Sequence, residues 1–109
     1  MSVAATVPVT ITPEAAAHLH GLGLEREHAQ MVEYMQKCVP DLLGIETMWD
    51  YDRDSPVPDR LVVHAVLPEP DEIDLSWEHA RTHWFITTFP YAIRCHFVLT
   101  TRYEARHGG

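Results

Sequence analysis

The sequence predicts an α+β domain of the ferredoxin-like βαββαβ kind, a two-layer sandwich whose antiparallel sheet carries two helices on one face. Three observations carry this expectation. Four segments alternate apolar and polar residues with a period of two, and two longer segments repeat apolar residues at helical spacing. The segments follow one another as β-α-β-β-α-β. Each strand segment has one face more apolar than the other, which suits a sheet covered on a single side. The rival arrangement is an α+β sandwich in which residues 7–12 stay outside the sheet.

The first strand is Val7 to Thr12, where Val7, Val9 and Ile11 alternate with Pro8, Thr10 and Thr12. Thr12-Pro13-Glu14 then starts a helix, with a capping hydroxyl, proline at the first helical position and an acid at the positive end. Gly21-Leu22-Gly23 should break or bend it. Beyond it, Leu24, His28, Met31, Met35 and Cys38 recur at helical spacing, with Glu25, Arg26, Gln30, Glu33 and Lys37 on the other sides. Pro40 stops that helix.

Leu43 to Tyr51 reads as a strand with Leu43, Ile45, Thr47, Trp49 and Tyr51 on one face and Gly44, Glu46, Met48 and Asp50 on the other. After a loop holding Pro56 and Pro58, Arg60 to Leu67 sets Leu61, Val63, Ala65 and Leu67 against Val62, His64 and Val66. Pro68 and Pro70 end this strand, and the acidic run Asp71-Glu72-Ile73-Asp74 leads into a helix from Leu75 to Phe89. Its expected core stripe is Trp77, Ala80, Trp84 and Thr88, with Phe85 alongside. The last strand, Ala92 to Tyr103, alternates Ile93, Cys95, Phe97 and Leu99 with Arg94, His96, Val98 and Thr100. Residues 104–109 read as a frayed tail, so 1–109 is expected to form one domain with its ordered core over about 7–103.

Charge excludes some partners. Eight Lys and Arg against sixteen Asp and Glu give a formal charge of -8. A nucleic acid or an anionic membrane surface would repel such a chain, since binding there depends on cations that neutralise phosphates. Arg94, Arg102 and Arg106 are the one basic cluster in sequence. Two cysteines, Cys38 and Cys95, make no disulfide framework. With no secretory pattern at residues 1–6 and no run long enough to span a bilayer, the expected location is cytoplasmic.

Eight histidines in 109 residues make the chain histidine-rich and raise the question of a divalent transition metal. His79 and His83 stand four apart in a helix, so both imidazoles share one face and can converge on one ion. Two ligands fall short of the three or four that zinc takes, and Ala80 stands where a zincin needs glutamate. Two solvated histidines are the competing reading. His28, Met31, Met35 and Cys38 offer soft ligands, but their spacing is also that of a packed core face, which is the better reading. Asp50, Asp52 and Asp54 lack the glycine and closing glutamate of a calcium loop and read as a solvated turn. Cys95 and His96 are strand neighbours that point to opposite faces, so they do not pair.

What remains is the outward sheet face: Glu46, Met48 and Asp50, then Val62, His64 and Val66, then Arg94, His96, Val98 and Arg102. It mixes valines with histidines and charges, a composition between a core and a solvated surface that suits an interface or ligand platform. The expected function is therefore a non-catalytic binding or assembly module acting as a homodimer through this face. It would bind a protein partner or a small anionic ligand there. The alternatives are a metal-responsive protein using His79 and His83, and a small dimeric α+β-barrel enzyme with His64 or His96 as acid or base.

Overall fold

A computed structural model of the chain describes residues 7–72 and 75–105. It is an α+β sandwich with helices on one face of an open, mixed sheet. The elements are β1 (Val9–Ile11), α1 (Pro13–Leu22), α2 (Glu25–Cys38), β2 (Gly44–Tyr51), β3 (Asp59–Pro68), α3 (Ser76–Thr88), α4 (Tyr91–Arg94) and β4 (Phe97–Glu104).

Local signals explain the helices on the first half. Thr12 caps α1 by accepting the Ala15 amide at 3.2 Å on its hydroxyl. Gly23 takes φ 69°, a left-handed turn that a side chain disfavours, and the Leu24 amide reaches back to the Leu19 carbonyl at 3.3 Å. Gly23 thus separates α1 from α2, while Gly21 stays within α1 and does not break it. α2 carries the predicted Met31 and Met35 stripe into the core with no exposed surface on either residue.

The sheet order is β1-β2-β3-β4. β1 runs parallel to β2, β2 antiparallel to β3, and β3 parallel to β4. The expected all-antiparallel sheet with two helices is therefore corrected. Each helix pair is a crossover that returns the chain to a parallel neighbouring strand, and a hairpin joins the two crossovers. Alternation along a strand shows which residues share a face but not which strand lies beside it, so period alone left the pairing open.

The start of the last strand is also corrected. Residues 91–94 form α4, where the Ile93 and Arg94 amides both bond the Pro90 carbonyl at 3.0 Å, and β4 begins only at Phe97. Four residues of apolar–polar alternation fit one helical turn as well as a strand, and Pro90 sets the turn. Glu104 belongs to β4, its carbonyl accepting the Glu69 amide at 2.9 Å, while 106–109 lie outside the described residues. Ile73 and Asp74 lie outside them too.

The core sits between the helices and the sheet. Ala15, Leu19, Met31, Met35, Ile45, Leu61, Val63, Ala65, Phe89 and Phe97 are buried together there. α3 departs from its expected stripe: Ala80 and Thr88 are exposed, and Arg81 is buried instead at 8 % exposure. Its guanidinium lies 5.0 Å from the Trp77 ring centroid and donates to the Thr101 hydroxyl at 3.3 Å. Thr101 in turn donates to Glu78 at 3.1 Å. Burial pushes the Arg81 pKa down, opposed first by the neighbouring Glu78 carboxylate. Cys38, placed in the α2 stripe by spacing, is exposed at the helix end.

Candidate functional site

Register builds the open face row by row, because residues on Cα-paired positions of neighbouring strands point the same way. Met48, Val62 and Val98 form a continuous apolar row across β2, β3 and β4. On one side lies the row Glu46, His64, Thr100, followed by Gly44, Val66, Arg102; on the other lies Asp50 beside Arg60. The helix-facing partners Leu61, Val63 and Ala65 have no exposed surface, which fixes Val62, His64 and Val66 on the opposite side.

Charges on this face are paired within the chain. Arg102 donates through Nε and Nη2 to Glu46 Oε2, at 3.1 and 2.5 Å. Arg60 reaches Asp50 at 3.3 Å and Asp52 at 3.5 Å. Val66, the Cα partner of Arg102 on β3, is only 4 % exposed although it faces away from the helices. Gly44 opposite it has no side chain, and a depression of about 180 Å³ opens there. Arg60, which begins the predicted strand, joins the outward face beyond the residues expected there. A count outward from the hairpin turn would have placed it across from Asp50.

Several polar atoms here have no protein partner. Among the described residues, Arg60 Nε, His64 Nδ1 and His96 Nδ1 are buried without a hydrogen bond. Burial pushes the His64 pKa down, with Glu46 opposing the shift and Arg102 adding to it. His96 lies in the turn before β4, its carbonyl accepting the Leu61 amide at 2.8 Å, so it continues the Asp50 and Arg60 row. Arg94 is not on this face at all. It sits in α4 with its guanidinium 6.0 Å from the Tyr91 ring centroid.

The metal expectation is overturned. His79 and His83 both lie exposed on α3, and no group of three or more His, Cys, Asp or Glu side chains among the described residues is placed to hold an ion. The histidines do not gather into a histidine-rich surface. His28 is buried in the core and bonds the Thr47 hydroxyl at 2.7 Å, His20 meets Glu25 at 3.0 Å, and His64 belongs to the sheet. Spacing puts two ligands on a helix, whereas a metal needs convergence from several elements, which helical period does not report. Asp52 and Asp54 form a hydrogen-bonded turn, the Asp54 amide donating to Asp52 Oδ1 at 3.1 Å.

A pocket between helices and sheet would not reach His64, which faces the other way. Cys95 is half-buried and its thiol donates to the Ala92 carbonyl at 3.5 Å. No helix among the described residues is long and apolar enough to cross a membrane. Comparison with protein-family models, with curated proteins and with solved structures finds no match.

Proposed function

We propose that this protein is a non-catalytic assembly module that pairs with a second copy of itself through the open sheet face. The row Met48, Val62 and Val98 carries the reading, because Met48 is 37 % exposed and the valines are only partly covered. Flanking ion pairs make the face self-complementary. A two-fold axis parallel to the strands, between β2 and β3, brings each β2 over the β3 of the second copy. Met48 then faces Val62 of the second copy, Asp50 faces its Arg60, and Glu46 faces its His64, following the registered pairs within one chain. Unpartnered nitrogens of Arg60 and His64 would find carboxylates there.

Size sets the affinity class. The three-residue β1 and three strands of eight to ten residues, at about 3.3 Å per residue and a spacing of about 4.8 Å, cover roughly 450 Å² per copy. The total of roughly 900 Å² lies in the small, weak class of interface, so a readily reversible dimer is expected. The anion reading loses support, because Arg94 is off the face and Arg60 and Arg102 already hold carboxylates. Free thiols at Cys38 and Cys95 suit a reducing, cytoplasmic setting, and the charge of -8 argues against nucleic acid as the partner. Sedimentation equilibrium at neutral pH tests the proposal: a dimer at tens of micromolar is expected, and a monomer throughout that range would end it.

A further inference from the structure

A cavity of about 410 Å³ opens at the other side of the fold, where β3 and the parallel β4 both end. Open sheets place ligands in the crevice beyond the carboxyl ends of parallel strands, and this volume falls in the range of a small-molecule site. Leu67 and Pro68 from β3, Tyr103 from β4 and Trp77 from α3 form its walls, and the α2–β2 connection closes it with Pro40 and Asp41.

The chemistry of these walls selects for charge. We infer that the cavity binds an organic cation, an ammonium group carried either by a free amine or by a lysine side chain. Two of its walls are aromatic, and ring faces attract weakly hydrated cations. Trp77 already accepts one such contact, from the Arg81 guanidinium 5.0 Å away. Three carboxylates, Asp41, Asp71 and Glu72, line the opening, and no side-chain hydrogen bond or ion pair among the described residues engages them. They outweigh the single charge of Arg81. Pro40, Pro68 and Pro70 have no amide N–H to offer, so an anion would find few backbone donors at this cavity. A hard metal ion is a poor fit, since it requires convergent oxygens and no such group is present among the described residues. The overall charge of -8 adds a field that draws cations in.

Amide and indole NMR of the full chain, titrated with tetramethylammonium chloride and with potassium chloride at matched ionic strength, tests this. A saturable shift of the Trp77 indole N–H is expected with tetramethylammonium alone, weakened about tenfold or more in an Asp71→Asn, Glu72→Gln variant. Both replaced side chains belong to exposed residues, so the variant should keep the native spectrum elsewhere. A parallel titration with blocked lysine separates the sources: tighter binding than tetramethylammonium points to a peptide side chain, equal or weaker binding to a free amine. No saturable shift, an equal response to potassium, or an unchanged response in the variant would overturn the site.

Discussion

Strand β3 meets two different surroundings on its two faces. Leu61, Val63 and Ala65 are wholly buried under the helices, while Val62 and His64, one position away, are only partly covered. The same contrast separates two histidines. His28 lies within the core with its Nε2 bonded to Thr47, and His64 lies on the open face with its Nδ1 buried and unbonded. One face is closed off from water by the helices and the other is partly open to it. Substitutions on the first should therefore change folding, and substitutions on the second should change association.

The largest effect belongs to the covered face. Met35 has no exposed surface and lies among Leu19, Ile45 and Val63 in the core. Met35→Asp places an unpaired carboxylate there, at a cost of several kcal/mol against a typical total stability of about 5–15 kcal/mol. Circular dichroism should show no cooperative thermal transition. A normal melting curve would mean that the α2 stripe is not core.

The open face should respond in the opposite manner. Met48→Glu with Val62→Glu puts four carboxylates into the centre of the proposed dimer while leaving each monomer's helix-facing core intact. Dissociation should become at least about a hundredfold easier, with thermal unfolding of the monomer little changed. Sedimentation and calorimetry on the same samples separate the two quantities. A dimer that survives the double substitution would move the interface elsewhere.

How far the sequence reveals these faces follows from what periodicity measures. Alternation along β2 and β3 placed Glu46, Met48, Val62, His64 and Val66 on the outward side correctly, because neighbouring strand residues must point to opposite faces. It missed Arg81, although Trp77, Arg81 and Trp84 share helical spacing, because charge argued for solvent; stacking on Trp77 and the Thr101 bond offset that charge. It also put Arg94 on the sheet, since one turn of helix mimics two steps of strand. The cavity beyond β3 and β4 joins segments far apart in sequence, and no local signal brings Pro40 near Tyr103.

Histidine burial gives a smaller, pH-dependent effect. Burial holds the His28 pKa below its usual value, so the folded chain keeps it neutral where the unfolded chain takes up a proton. The stability this contributes is present above the unfolded value of about 6.5 and declines as pH falls below it, at up to about 1.4 kcal/mol per pH unit, levelling off below the folded pKa. His64 adds in the same direction, with Glu46 opposing part of its shift. Urea unfolding from pH 7.5 to 5 should show midpoints falling with pH, and His28→Gln should flatten that slope. An unchanged slope in the variant would assign the acid sensitivity to other groups.

The smallest effect on folding, and the most selective on association, belongs to Asp50 and Arg60. Within the chain they meet at 3.3 Å with the Asp50 side chain 51 % exposed, a solvated pair whose loss costs about 0–1 kcal/mol of stability. Across the proposed two-fold axis each faces its opposite in the second copy, where water is excluded and the interaction strengthens. Asp50→Arg alone would set arginine against arginine at both symmetry-related positions, and Arg60→Asp alone would set carboxylate against carboxylate. Each should weaken dimerisation about tenfold or more while shifting the melting temperature by only a few degrees. The double swap, Asp50→Arg with Arg60→Asp, restores opposite charges both within the chain and across the axis, so it should recover most of the lost affinity. Recovery in the double variant is the outcome that a merely intrachain pair does not produce on association. Failure to recover, with each single variant dimerising like the unaltered chain, would place the second copy on another surface and leave this pair as a solvated contact of the β2–β3 hairpin.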